Sequence, residues 1–295
     1  MKKILVSGLW YTGSSAVCDI LHELDDIWLM PDNQRKGLPE FLGYHLGGFD
    51  DFYRVIENST LQRKKIMLNN LASTLYNSLF SNLSYVSESN KRRFSEITRE
   101  YVSALLQLMA LSLDVHKKGF IELTEQYFDE ISHVAEGVDW VLFDQAISPS
   151  SNIFFWKKVF KDSKLIVVER NSLDQISDIL EFSHQFWTIR TGGRIEEFLK
   201  EQEKDKKRFR HMKELYPNDV EIFKFEDLVR DYNKTRSRLL EFLGFDAQTL
   251  PPTFKYFNPA ESSKNINKNI NVLTVEEIEE IRGIVEAQKI NYVDF

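Results

Sequence analysis

The chain opens with a strand, a glycine turn and a helix in direct succession. Ile4-Leu5-Val6 is a short apolar run that reads as a buried strand. Gly8 to Ser15 is a turn of small residues, and Ala16, Val17, Ile20, Leu21 and Leu24 then recur at helical spacing. This order makes a phosphate cradle. Glycines let the backbone approach an anion, and the N–H groups of the helix's first turn point at it. The turn satisfies the Gly-x4-Gly-Lys-Ser/Thr pattern at Gly8, Gly13 and Ser15, but Ser14 stands in the lysine's place. That lysine normally serves the outer phosphates of a nucleoside triphosphate. Without it the turn still offers N–H groups and the Thr12, Ser14 and Ser15 hydroxyls to a phosphate or sulfate. The alternative is a strand–helix turn that binds nothing. The coincidence of turn, helix start and hydroxyl cluster favours binding.

Further along, strands alternate with helices. Ile27 to Met30 reads as a second strand, and Trp140-Val141-Leu142-Phe143-Asp144 as one ending in an acid. A short helix is expected over Phe154 to Phe160. Lys164 to Arg170 is the clearest strand, followed by a helix from Asp174 to Glu181 and a charged one from Arg190 to Phe209. Val220 to Phe225 is a further strand, and Leu239 to Phe242 closes a helix that Gly244 ends. The alternation implies an α/β protein, a central parallel sheet with flanking helices and ligands at the strands' C-terminal ends. Two stretches depart from it. Pro31 to Gly48 is a polar, glycine-rich loop that carries Arg35, Lys36, Glu40 and His45. Asp50 to about Gly137 holds no proline and repeats apolar residues at helical spacing, so it reads as a helical insertion within a single domain spanning 1–295.

The 295 residues suit one large α/β domain. A net charge of −7 disfavours a general nucleic-acid surface. No apolar run approaches the roughly 18 residues of a membrane helix. Met1-Lys2-Lys3 hints at a secretion signal, but the apolar run behind it is short and leads straight into the turn. A cytoplasmic protein is the simplest expectation. Cys18, the sole cysteine, lies on the first helix and reads as a small core residue.

Arg170 ends the Leu165–Val168 strand, on the same rim of a parallel sheet as the Gly8–Ser15 turn. An arginine there can grip a second phosphate with two parallel hydrogen bonds, and Ser177 can add a hydroxyl. A surface ion pair with Asp174 is the alternative. Among the histidines, His22 beside Glu23 is expected to be exposed, while His116, His133 and His211 look structural. His184 lies among aromatic residues. No histidine pair has metal-ligand spacing on one face, so no metal site is expected. Lys204 to Arg210 reads as a solvated helix face.

Three segments together resemble the sulfotransferases, which move a sulfuryl group from 3′-phosphoadenosine 5′-phosphosulfate (PAPS) to an acceptor. The Gly8–Ser15 turn with its helix is similar to the family's 5′-phosphosulfate loop. Val167-Val168-Glu169-Arg170-Asn171-Ser172-Leu173-Asp174-Gln175-Ile176-Ser177 is similar to its 3′-phosphate segment. Ile222 to Asp231, followed by Leu239-Leu240-Glu241-Phe242-Leu243-Gly244-Phe245, resembles a third recurring segment. Ser262-Ser263-Lys264-Asn265-Ile266 resembles a late loop that reaches over the nucleotide. The resemblance implies that Tyr11, Thr12, Gly13, Ser14 and Ser15 bind the 5′-phosphosulfate, and that Arg170, Ser177 and Lys264 serve the 3′-phosphate. It implies no metal, and either a glutamate or a histidine as the base for the acceptor hydroxyl. Glu40 and His45 are the candidates here, with Glu40 preferred by its place in the loop.

Two departures stand out. Tyr11 falls where the family places a lysine or arginine, and Asp178 falls where it places a serine eight residues after the arginine. Arg35, Lys36 and Lys264 are candidates to replace the missing charge. The expected function is PAPS-dependent sulfotransfer to a hydroxyl of a carbohydrate, lipid or small molecule. A nucleotide kinase of the phosphate-loop type, for which Asp144 would hold magnesium, remains an alternative, as does a non-catalytic nucleotide-binding protein of the same fold.

Overall fold

The computed structural model describes residues 1–8, 11–30, 46–56, 59–81, 87–111, 116–144, 153–182 and 193–290. Strands β1 (Lys2–Ser7), β2 (Ile27–Leu29), β3 (Trp140–Phe143), β4 (Ser163–Glu169) and β5 (Val220–Lys224) form a central parallel sheet in the order β2-β3-β1-β4-β5. β1 runs parallel to β3 with Lys2 opposite Trp140 and Leu5 opposite Phe143, and β2 pairs with β3 from Ile27–Trp140 to Leu29–Leu142. The inner strands are almost wholly buried, which is why they read as unbroken apolar runs rather than alternating ones.

The helices are α1 (Ser14–Leu21), α2 (Leu46–Val55), α3 (Leu61–Ser81), α4 (Glu88–Leu108), α5 (His116–Ser132), α6 (Ile153–Val159), α7 (Ser172–Phe182), α8 (Gly193–Leu215), α9 (Phe225–Arg230), α10 (Tyr232–Leu243), α11 (Pro259–Ser262), α12 (Asn269–Val272) and α13 (Val275–Ile290). A 3₁₀ turn, Ser263–Asn265, links α11 towards α12. The segment expected as a helical insertion forms α2 to α5. Its first helix starts at Leu46, so Gly47 and Gly48 belong to α2 and not to the preceding loop. Among the described residues, no helix is long and apolar enough to cross a membrane.

The chain divides into two compact units. The first comprises Met1–Ser7 and Leu24–Leu165. Its helices close on an aromatic core: Phe49 lies 5.6 Å from Phe128 and 5.9 Å from Trp156 between ring centres, and Phe120 stacks on Phe155 at 5.7 Å. Edge and offset contacts of this kind add to the burial of the rings themselves. Two crossed hydroxyl pairs fasten α4 to α5. Thr124 donates to the Phe120 carbonyl, so Tyr101 must donate to Thr124 Oγ1, at 2.9 Å. Tyr127 meets Thr98 at 3.0 Å. A third polar node sits at Lys64, which is fully buried and donates to His116 Nδ1 at 3.4 Å. His116 Nε2 faces the Leu111 carbonyl at 3.1 Å, which assigns the ring proton to Nε2. His116 is thus a structural histidine, as its sequence context suggests.

The second unit comprises Gly8–Glu23 and Ile166–Phe295. Leu173, Ile176 and Ile179 of α7 pack with Phe198 and Leu199 of α8 and with Ile281 of α13. Helix α10 ends at Gly244, whose N–H reaches the Glu241 carbonyl while the Phe245 N–H reaches Leu240. His22 is buried, contrary to its reading as an exposed residue, and stacks on Tyr256 at 4.3 Å. The cause is its neighbour: the Glu23 carboxylate accepts the Thr253 and Tyr256 N–H groups at 3.0 and 3.2 Å and draws that stretch over the helix end. Burial raises the Glu23 pKa, but these N–H bonds outweigh it and hold the group below its ordinary value.

The α4–α5 contact gives a stability test. Tyr127→Phe leaves the Thr98 hydroxyl buried without its partner and is expected to cost about 1–3 kcal/mol in urea unfolding. Burial raises both the Tyr101 and Tyr127 phenols above their ordinary value, against the hydrogen bonds that lower them. Their contribution is therefore complete below about pH 10 and is lost as pH rises further, because only the unfolded chain ionises them freely. The melting temperature should fall above that pH, and less steeply in the Tyr101→Phe/Tyr127→Phe double variant.

Candidate active site

The turn after β1 is shaped by two close approaches. Gly13 caps α1 in the left-handed region, with φ at 83°, and a Cβ there would lie 2.3 Å from the Phe225 ring. A Cβ on Gly8 would lie 2.0 Å from Thr12 Oγ1 and 3.2 Å from the Val168 carbonyl oxygen. Glycine is required at both, and the result is a loop drawn tightly around its own backbone. The N–H groups of Ser14 and Ser15 stand at the start of α1, whose N-cap is Gly13. Thr12 and Ser14 are both 4% exposed, and Tyr11, with φ at 56°, is 40% exposed.

Arg170 follows directly on β4 and is 6% exposed. Its Nη1 donates to the Tyr11 carbonyl at 2.8 Å and to Asp178, and its Nη2 donates to the Asn265 carbonyl at 2.7 Å. The guanidinium also lies over the Phe225 ring at 5.1 Å. Two of the sequence-derived site segments, the turn and the arginine, therefore meet through backbone and side chain. The ion pair runs to Asp178 and not to Asp174, because Asp174 is otherwise engaged. Its carboxylate accepts the N–H of Asn267 at 2.8 Å, the N–H of Asn269 at 3.1 Å and the Asn269 side-chain amide at 2.6 Å. Lys268 binds Asp178 at 2.5 Å and also Glu181. Burial draws the Lys268 ammonium down, and the bonds to both carboxylates outweigh it, so its pKa is raised.

Other site candidates are placed differently. Ser177 is fully buried and its hydroxyl donates to the Leu173 carbonyl at 2.8 Å. Lys264 lies on the exposed 3₁₀ turn. Asp144 is buried at the end of β3, and Cys18 is buried on α1. Glu40 and His45, with Trp10, Arg35, Lys36 and His184, lie outside the described residues.

Sequence reading missed the α8 side of the site. Lys204 to Arg210 reads as a solvated face, but Leu199, Gln202, Asp205 and Phe209 form one buried stripe. Gln202 accepts from Ser172 at 2.7 Å and donates to Gln175. The stripe closes a cavity of about 20 Å³ whose lining includes Thr12, Glu169, Arg170 and Asp205. Each of these four has one buried polar atom with no hydrogen-bond partner among the described residues: Thr12 Oγ1, Glu169 Oε1, Arg170 Nε and Asp205 Oδ2. Burial pushes the Asp205 carboxyl up to about 7, against the opposing pull of Arg208. The spacing 199, 202, 205, 209 was the signal that could have shown this face, had the charges around it not masked its period. Among the described residues, no group of three or more His, Cys, Asp or Glu could hold a metal ion.

Two outcomes follow from this geometry. Gly13→Ala must hold alanine in a left-handed conformation against Phe225 and is expected to cost more than the roughly 1–2 kcal/mol of the backbone term alone, read by thermal unfolding. Asp205→Asn should stabilise the protein above about pH 7. A carboxyl raised in the folded state contributes fully below its unfolded value near 4, and that contribution is lost as pH rises through about 7. Melting temperature against pH for both forms should converge in acid, separate as pH rises from about 4 to 7, and keep that separation above neutrality.

A sequence profile of the sulfotransferase family matches residues 4–249. No curated protein matches significantly. Two solved structures are similar at low identity. The sulfotransferase domain of the olefin synthase of Synechococcus PCC 7002 is 13% identical, with 96% of this chain and 93% of that one covered and a TM-score of 0.45. A sulfotransferase from Alicyclobacillus acidocaldarius is 12% identical, with 97% and 96% covered and a TM-score of 0.44. The profile match takes in β1 from Ile4, the glycine turn, Arg170 and the whole of α10, and on that match the chain belongs to the sulfotransferase family.

Proposed function

We propose that the chain transfers a sulfuryl group from PAPS to a hydroxyl of a carbohydrate, lipid or small-molecule acceptor. The observation that carries this reading is the tie between the cradle and the arginine. Gly8 and Gly13 let the turn close on Thr12, Val168 and Phe225 at the start of α1, and Arg170 is bonded to the Tyr11 carbonyl of the same turn. A donor with phosphates at its 5′ and 3′ positions needs two such anion seats side by side. Thr12 Oγ1 and Arg170 Nε, buried and without a partner among the described residues, are further polar atoms at the site. Family membership supports sulfotransfer as the chemistry.

In this reading the acceptor oxygen attacks sulfur in line. A new O–S bond forms as the bond from sulfur to the bridging phosphate oxygen breaks. The acceptor proton passes to a base, for which Glu40 and His45 are the candidates, and adenosine 3′,5′-bisphosphate leaves. The protein's part is alignment and stabilisation of charge spread over oxygens, which preorganised N–H groups at the start of α1 can supply. Ser14 and Ser15 would hold the 5′-phosphosulfate, Arg170 the 3′-phosphate, and Lys264 would reach the nucleotide from the late loop. Ser177, turned to the Leu173 carbonyl, would act by fixing the α7 backbone behind Arg170.

A second reading, nucleotide binding without turnover, is favoured by one residue. Tyr11 brings no positive charge to the leaving oxygen and serves Arg170 through its carbonyl.

Calorimetry with adenosine 3′,5′-bisphosphate and with ATP-magnesium tests the proposal. The bisphosphate is expected to bind in the micromolar range, about −8 kcal/mol, and ATP much more weakly. Arg170→Ala should weaken the bisphosphate at least tenfold, about 1.4 kcal/mol. Preference for ATP-magnesium would replace this reading with the kinase one. Bisphosphate binding with no sulfate transfer to any acceptor would leave the second reading.

A further inference from the structure

Arg170 has five N–H donors, and the described residues take three of them. Nη1 serves Tyr11 and Asp178, and Nη2 serves Asn265. The two that remain, on Nε and Nη2, share one edge, and its Nε is buried beside a cavity of about 20 Å³, room for one water and not for a phosphate group. The terminal edge is the one a phosphate can use, and it carries a carboxylate. Asp178 is 6% exposed and is held from its other oxygen by Lys268, which also reaches Glu181. Arg170, Asp178, Lys268 and Glu181 alternate in sign and sum to zero. The strongest cation of the site is thus already neutralised by the fold.

We propose that Asp178 is a resident competitor for the donor's 3′-phosphate: its carboxylate holds Nη1 at the terminal edge of Arg170, and the phosphate binds by exchanging with it. Asp178 then sets how sharply the chain distinguishes a 3′-phosphorylated nucleotide from one that lacks this group. The inference rests on the assignment of Arg170 to the 3′-phosphate. Its physical basis is that two anions cannot share one guanidinium edge in a site this buried without strong repulsion.

The surroundings permit the exchange. Asp174 binds the backbone N–H groups of Asn267 and Asn269, and the Asn269 amide, independently of Asp178. The late segment therefore stays mounted on α7 when Asp178 releases Arg170. Lys268 remains as a partner for the displaced carboxylate.

The test is calorimetry with adenosine 3′,5′-bisphosphate and adenosine 5′-monophosphate on wild type, Asp178→Ser and Asp178→Asn. Wild type should prefer the bisphosphate by less than tenfold. Both variants should bind the bisphosphate at least tenfold more tightly and the monophosphate within twofold of wild type. The asparagine variant keeps the side chain's shape and an acceptor for Lys268, so the test survives a serine variant that fails to fold. The wild-type preference stands by itself if both fail. A wild-type preference above a hundredfold overturns the inference. So does a bisphosphate affinity that is unchanged or lower in a folded variant, or a shift of both nucleotides by the same factor. Failure of both nucleotides to bind wild type or either variant overturns the sulfotransfer reading, and this inference with it.

Discussion

The Arg170 guanidinium touches three stretches of chain that are distant in sequence: the cradle at Tyr11, α7 at Asp178 and the late segment at Asn265. It also covers the Phe225 ring, against which Gly13 is packed. An arginine in this position is costly to bury and costly to disturb. Its charge is balanced by one carboxylate and two carbonyls, and breaking such a pair on one side typically costs about 3–5 kcal/mol. The positions of the cradle, α7 and the late segment are consequently linked. In the proposed function, the group that would bind an anion is also the group that assembles the place where the anion would bind.

The frame that delivers these parts is plain in the sequence because its cause is local. β1, β3 and β4 are buried strands and appear as apolar runs, with ends within a residue or two of those read from the sequence. Gly13 and Gly244 mark a helix start and a helix end through backbone conformations that favour glycine. Arg170 is legible because it follows the clearest strand at once. Helix periodicity likewise exposes the run of helices α2 to α5, although it gives no account of α2 beginning over Gly47 and Gly48.

What the sequence hides is set by long-range pairing. Asp174 and Asp178 carry no mark of the backbone N–H groups and the lysine that they hold some ninety residues later. Ser177 and Asp178 are neighbours, yet helix phase turns one hydroxyl into the α7 backbone and aims the other side chain at Arg170. Pattern matching cannot separate the two, since either is near enough in sequence to serve. Asp205 is hidden for another reason. Lysines and arginines flank it so closely that the buried stripe of α8 reads as an exposed, charged face. The composition of a helix surface disguises its orientation when the inward residues are polar as well.

The clamp at Asp174 has a consequence for how such a site can change. Two of its three bonds go to backbone N–H groups, which every residue except proline offers. The side-chain demands on the segment are few: Asn269 for its amide, Lys268 for its pairs with Asp178 and Glu181, and a residue at 267 that accepts a φ of 57°, as Asn267 does. Lys264 and Ile266 are held in place by a mount that takes no reading of their side chains. The segment is a carrier whose cargo can be exchanged, one side chain at a time, while its position over α7 is kept.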